Sequence, residues 1–442
     1  MEPFVFLDQH GKRWPRLRRW SVLVGVLCFA AVILFVQALM LPPRLNLPPA
    51  VLQLKSRLKA LRTDHKDQAP AKPLWLEYVK KDREGGRSPV RHQATPPATA
   101  AGRDREIRLG FYEGWDPNSW HSLKEHGGKL THLGPDWLKL VDGTGELVAS
   151  VDEDALALAR EQGLVLMPLL RNLGDGDTWL PEAAEGVING PADRQDAFLA
   201  RLIGLLHDMG AGGVVLDWQQ VDPGYRANTS RFLARLATAL HRERLELWLC
   251  VSVGGELKAF DLDALAPHVD RFVALLHDEH AESDQSGPIA SREFFSGWLA
   301  ALVEGYGRPE QWIVSHGSYG YDWPEGGRQA EQISFADVMS RAGRSALTPC
   351  EFHFPASNPH FEYEDGGTVH TVWFLDAVTF LNQLTEARGH GAGGLAINRL
   401  GAEDPGLWQV LGASGDVLAR HGRFDGIATL TPEATIAHVS RD

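Results

Sequence analysis

Between Glu106 and Leu411 short apolar runs alternate with segments whose apolar positions recur every three to four residues. Strands buried on both faces are apolar throughout, and seven runs have that character: 107–113 (IRLGFYE), 164–170 (LVLMPLL), 213–218 (GVVLDW), 245–253 (LELWLCVSV), 271–278 (RFVALLHD), 311–317 (QWIVSHG) and 393–400 (GGLAINRL). A region near 133–141 supplies an eighth. Helical periodicity predicts helices at 153–162, 192–209, 228–243, 289–305 and 371–387. Eight strands alternating with helices over 106–411 predict an α/β chain folded as a (β/α)8 TIM barrel. The rival, a doubly wound sheet, would carry a Gly-rich phosphate turn after its first strand, and LGFYEGWDP is not one. No cofactor is expected.

The chain before the barrel has a different pattern. Residues 21–41 (SVLVGVLCFAAVILFVQALML) are uncharged and long enough, at about 1.5 Å per residue, to cross a bilayer core of roughly 30 Å. This predicts a single transmembrane anchor; the run is longer than a signal-peptide apolar core and ends without a small-x-small cleavage site. Lys12, Arg13, Arg16, Arg18 and Arg19 make 1–20 a basic tail and predict a cytoplasmic N-terminus, with the barrel periplasmic or otherwise extracytoplasmic on a bacterial inner membrane. Residues 42–105 read as a basic, Pro-rich linker, and 412–442 as a C-terminal extension.

Charge sharpens this division. The net charge is -13, yet residues 106–442 hold 25 Lys/Arg against 49 Asp/Glu. A domain that acidic repels phosphates, so nucleic acid is excluded as a partner. Three cysteines, Cys28, Cys250 and Cys350, form neither a disulfide framework nor a zinc spacing, although a Cys250 to Cys350 bridge stays open.

In a TIM barrel the site lies at the C-terminal ends of the strands. There stand Tyr112, Glu113 and Trp115; Asp217 and Gln219; His277, Asp278, Glu279 and His280; Tyr319, Tyr321, Asp322 and Trp323; and Asn398 and Arg399. Aromatic faces stack on sugar rings and carboxylates bond hydroxyls, so the rim predicts a glycan cleft. The HDEH run at 277–280 is no metal site, because successive strand residues alternate faces and at most two of the four can converge.

Here the segments become familiar. IRLGFYEGWDPNSWHSLKEH, LLHDEHAESDQSGPIASREFF, GSYGYDW, VWFLDAVT and INRLGAEDPGLW, in that order, resemble the chitinase-like glycoside hydrolases of family 18. GKRWPRLRRW ahead of the apolar run is similar to the N-terminus of that family's membrane-anchored branch, usually fused to polysaccharide deacetylase and glycosyltransferase domains. The family signature D-x-x-D-x-D-x-E falls here on Gly212, Val215, Asp217 and Gln219. The resemblance implies that the final glutamate protonates the glycosidic oxygen while the aspartate before it orients the substrate's own N-acetyl group, the substrate-assisted exception to the two-carboxylate rule. Gln219 stands at the acid's position, and an amide has no proton to give near neutral pH. His277 replaces a tyrosine that contacts the N-acetyl group in the family, and Asn398 a tryptophan that floors its cleft.

The expectation is a membrane-tethered, catalytically degenerate barrel that binds an N-acetylglucosamine-type polysaccharide at Tyr112, Trp115, His277, Asp278, Glu279, Tyr321, Trp323, Asn398 and Arg399, around Asp217 and Gln219. The family branch further implies a polysaccharide synthase or deacetylase as partner. Two alternatives stay open: an active glycosidase with its acid relocated to Asp222 or Glu279, and a protein-docking barrel with a vestigial cleft.

Overall fold

The computed structural model describes residues 106–174, 178–306, 308–327, 329–343 and 350–412. The expected tail, membrane span and linker (1–105), and the extension beyond Gly412, lie outside the described residues. Among the described residues no helix is long and apolar enough to cross a membrane.

Ten strands come first: β1 (Ile107–Tyr112), β2 (His132–Pro135), β3 (Leu138–Leu140), β4 (Leu147–Ala149), β5 (Val165–Leu166), β6 (Leu169–Arg171), β7 (Gly213–Asp217), β8 (Glu246–Ser252), β9 (Arg271–Leu275) and β10 (Trp312–Gly317). Then β11 (Tyr319–Pro324), β12 (Glu331–Ser334), β13 (Glu351–His353), β14 (Asn358–Asp365) and β15 (Thr368–Phe374) build a separate antiparallel sheet, before β16 (Gly394–Asn398) rejoins the first. The first sheet runs in the order β4-β3-β6-β7-β8-β9-β10-β16-β1-β2-β5, parallel except for the β3 to β4 pair.

Its order begins near β6 and ends at β5, which are two pieces of one stretch broken at Met167-Pro168. Proline has no amide hydrogen for the ladder. The flanking bonds bridge the gap: Met167 N–H donates to Leu133 O (2.8 Å) and Val215 N–H donates to Pro168 O (3.0 Å). The sheet therefore curls on itself in a form resembling a TIM barrel. Leu109, Phe111, Met167, Leu169, Val215, Trp248, Cys250, Val273, Ile313 and Ala396 form one buried cluster. These are alternate residues of their strands, so they mark the inward face.

Departures from the sequence reading have local causes. The strand expected near 133–141 divides into β2 and β3, and the strand at 164–170 divides at Pro168. The helix expected over 371–387 begins only at Ala377, because Thr371 to Phe374 complete β15 against β11 and β14, and Asp376 accepts the Thr379 N–H (2.8 Å) as the N-cap. Helices at Pro117–His126, Pro181–Ile188 and Phe335–Ala342, unpredicted by periodicity, start at Asp116, at Leu180 and at a Ser334/Asp337 capping box. Cys250 and Cys350 are buried free thiols, so no bridge joins them.

The inserted sheet has two faces. Ile333, Phe335, Val338, Cys350, Phe361, Tyr363, Val372 and Phe374 make its own core, while Tyr319, Tyr321 and Trp323 pack the other way against Ile289, Ala290 and Leu375. Asp322, alternate to these aromatics, is held by Arg341, Tyr363 (2.5 Å) and His370 (2.7 Å) within the insertion.

Gly213 opens β7 where a Cβ would stand 2.2 Å from the Glu246 carbonyl oxygen of β8. Gly213→Ala is expected to lower stability by about 1–3 kcal/mol, as overpacking against backbone does; urea unfolding of the variant beside the wild type checks this.

Candidate active site

Counting outward from the buried inward-facing residues by twos, Leu109 and Phe111 lead to Glu113, Leu169 to Arg171, Val215 to Asp217 and Gln219, Val273 to His277, and Ala396 to Asn398. These side chains gather at the C-terminal end of the sheet. Two hydrogen-bonded groups result.

The first is organised by Arg171. Its Nε lies 3.3 Å from Asp217 Oδ2, and its Nη1 lies 3.2 Å from Asp136 Oδ2 and 3.9 Å from Glu113 Oε1. Burial opposes a charge here, yet Asp217, Asp136 and Glu113 together hold the guanidinium protonated, its pKa above the ordinary range. Glu113 moves the other way. Burial, then the nearby Asp136, push its carboxyl up to about 7, against Arg171, Arg399 and a hydrogen bond from Trp115.

Gln219 completes this group. Its amide Nε2 donates to Asp217 Oδ1 (2.5 Å), so Asp217 carries Gln219 on one oxygen and Arg171 on the other. The backbone of Gln219 is clamped by Asn172, whose Oδ1 accepts its N–H (2.9 Å) and whose Nδ2 donates to its carbonyl (3.0 Å). The next residue, Gln220, has φ +60° and donates its N–H to Glu256 Oε2 (2.7 Å). A left-handed residue other than glycine costs about 1–3 kcal/mol, which the surrounding bonds must hold.

The second group surrounds His277. Asn398 Nδ2 lies 3.2 Å and Ser315 Oγ 3.5 Å from His277 Nε2, and His277 Nδ1 lies 3.1 Å from Asp278 Oδ2 and 3.0 Å from the Tyr319 hydroxyl. Asp278, at φ +62°, also accepts from the Tyr319 hydroxyl (2.6 Å) and the Tyr321 hydroxyl (3.1 Å). Burial raises its pKa, but His277 and the two phenols outweigh that and hold it below the usual aspartate range.

Trp115 stands on the rim with 69% of its surface exposed. Its indole N–H donates to Glu113 Oε2 (3.0 Å), and the Arg399 guanidinium stacks 4.4 Å from its ring centroid while Arg399 Nη1 pairs with Asp116 (3.0 Å).

Several expected members lie elsewhere. Tyr112 points outward, 1% exposed, its hydroxyl donating to Asp152 (2.5 Å). It sits one residue out of phase with Glu113 and does not line the mouth. Trp323 is 7% exposed and donates to Asp284 O, so it offers no sugar-stacking face, and Tyr321 is buried and reaches the mouth only through Asp278. Glu279 accepts the Ser291 N–H (2.7 Å), and Asp222 accepts the Gly224 N–H (2.7 Å) at the start of a short turn. His280 Nδ1 faces Pro288 O (2.9 Å), so the four side chains of 277–280 diverge. Sequence reasoning left out Arg171, Asn172 and Asp136; inward phase from Leu169 identifies Arg171, but nothing local marks the other two.

The fold is chitinase-like. No family model matches the chain. It is 24% identical over 267 residues to the cortical fragment-lytic enzyme of Bacillus anthracis, covering 58% of this chain and 61% of that protein. It therefore spans about three fifths of that relative's length. Over 329 residues it is 21% identical to the glycosylase YvbX of Bacillus subtilis, covering 71% of this chain and 92% of the relative. Among solved structures, a chitinase from Chromobacterium violaceum superposes with a TM-score of 0.64 at 22% identity, over 70% of this chain and 98% of the other. A glutamate-to-glutamine mutant of the class V chitinase of Nicotiana tobaccum, in complex with NAG4, superposes at 0.57 with 15% identity, over 70% and 98% of the two chains.

Arg171→Met leaves three largely buried carboxyl groups without their cation. Such a loss costs about 3–5 kcal/mol, and stability is expected to recover as pH falls and the carboxylates take up protons. Urea unfolding near neutral pH and near pH 4 reads both effects.

Proposed function

We propose that this barrel is a catalytically degenerate, chitinase-like glycan-binding protein that takes N-acetylglucosamine-type polysaccharide in its cleft. One observation carries the reading: the Gln219 amide donates to Asp217, whose other oxygen is engaged by Arg171. An amide in that position can hold a sugar oxygen and has no proton for a leaving alkoxide, and general acid catalysis is worth about 10²- to 10⁴-fold. The two relocated acids suggested by the sequence are engaged elsewhere, Glu279 with the Ser291 N–H and Asp222 with the Gly224 N–H. Binding does not need the acid. A chitinase carrying glutamine for a glutamate has been solved with NAG4, which supports a glycan complex on this fold.

In the fuller form of this reading, a complete (β/α)8 barrel is tethered to a bacterial inner membrane by the apolar run 21–41 and faces the periplasm. There it holds envelope or exopolysaccharide chains beside a separate synthase or deacetylase. The support for the tether is the length of that run and the basic residues ahead of it.

The test compares the full-length chain with Gln219→Glu on N-acetylglucosamine oligomers at several pH values. Wild type is expected to release no product while the oligomer raises its melting temperature. Gln219→Glu places a second carboxyl against Asp217, and two carboxyls so close share a proton, which raises one of them toward neutral pH; release by the variant alone identifies Gln219 as the switch. Product release by wild type overturns the proposal.

A further inference from the structure

At the mouth, Glu113 carries a carboxyl oxygen that is not hydrogen-bonded to a protein group. Glu113 continues the inward phase of Leu109 and Phe111. Its Oε2 is taken by the Trp115 indole N–H at 3.0 Å, while its Oε1 stands 3.9 Å from Arg171 Nη1, beyond hydrogen-bond reach. The side chain is 13% exposed and lies beside the exposed ring of Trp115, whose position it fixes.

We infer that Glu113 is a glycan-contacting residue that acts as a neutral carboxylic acid, donating a hydrogen bond from Oε1 to an acceptor oxygen of a sugar stacked near Trp115, so that the cleft loosens its glycan as pH rises. The inference rests on the glycan-binding reading above and names the group that sets its pH response. A carboxylic acid carries one donor and an ionised carboxylate none, so ionisation turns a favourable contact with a carbonyl or ether oxygen into a repulsive one.

Burial and the Asp136 carboxylate favour the protonated form, and Arg171 and Arg399 oppose it without prevailing. From the segment after β2 comes Asp136, whose side chain is 7% exposed, with Oδ2 on Arg171 and Oδ1 buried without a partner. From β6 comes Arg171, already shared with Asp136 and with Asp217 of β7. From the segment after β16 comes Arg399, whose charge is paired with Asp116. Both cations that stabilise an ionised Glu113 are shared with other carboxylates, and burial with Asp136 outweighs them and pushes the Glu113 carboxyl up to about 7. The sign follows: protonated Glu113 predominates below that value, and the contact is lost above it.

The experiment is calorimetric titration of the full-length chain with the N-acetylglucosamine tetramer at about pH 6 and about pH 8.5, for wild type, Glu113→Gln and Asp136→Asn. Wild-type affinity is expected to fall about five- to tenfold between the two, the size of one lost hydrogen bond. Glu113→Gln, which keeps a donor at every pH, is expected to bind with no such fall. Asp136→Asn removes a charge that disfavours ionisation, so its affinity is expected to fall at a lower pH than in wild type. Titrations near pH 7.5 in buffers of different ionisation enthalpy are expected to show proton uptake on binding by wild type and none by Glu113→Gln. Tetramer binding that is insensitive to pH, or a fall equal in wild type and Glu113→Gln, overturns the inference and leaves the glycan-binding reading intact. Absence of tetramer binding by wild type at about pH 6 overturns the glycan-binding reading, and the inference falls with it.

Discussion

The mouth of the barrel depends on one guanidinium. Arg171 joins the end of β6 to Asp217 of β7 and to Asp136 and Glu113, which follow β2 and β1, so four neighbouring strand ends share one buried cation. A lone charge at this depth would be costly, and three bare carboxylates would be worse. Each makes the others tolerable. The consequence is that none of them can change partner freely: when Arg171 fixes Asp217 Oδ2, Asp217 Oδ1 is presented to the Gln219 amide, and the geometry around Gln219 follows.

That arrangement separates shape from chemistry. Gln219 has nearly the size and reach of a glutamate, and Asn172 holds its backbone from both sides, so the strand end has a fixed form. What changes is the proton inventory. Around Asp217 all donors are amide or guanidinium groups, good for hydrogen bonding and inert as acids near neutral pH. The carboxyl whose pKa is raised to about 7 at this edge is Glu113, with the ends of β6 and β2 between it and Asp217, next to an exposed tryptophan.

Much of this was legible in the sequence. The apolar runs from 107 to 398 locate the strands because strands covered on both faces must be apolar, and Asp217, Gln219, His277 and Asn398 fall on the inward phase as expected. The same uniformity hides the phase where no polar residue marks it. In IRLGFYE both faces are buried, so nothing local distinguishes Tyr112, turned outward to Asp152, from Glu113, turned inward. A shift of one residue exchanges the faces. The inserted sheet was missed for another reason: HTVWFLDAVTFLNQL reads as one apolar segment, and only the Asp376 cap and the pairing of β15 with distant β11 divide it. Contacts such as Asn172 with Gln219, 47 residues apart, leave no local pattern at all.

The insertion also explains why the two sides of the mouth differ in kind. On β11 Tyr319 and Tyr321 point to Asp278, whereas Asp322, between Tyr321 and Trp323, turns back to Arg341, Tyr363 and His370. The period-two alternation of one strand thus anchors the insertion and supplies the phenols that hold Asp278 and, through it, His277. The His277 side is therefore set by hydrogen bonds from an added sheet, and the Arg171 side by ion pairing within the barrel itself. The mouth thus has His277 and Asn398 set over the Asp278 carboxylate at one end and three carboxyl groups around one guanidinium at the other. The two frameworks therefore have different origins, one in the strands added between β10 and β16 and the other in the strand ends of the first sheet.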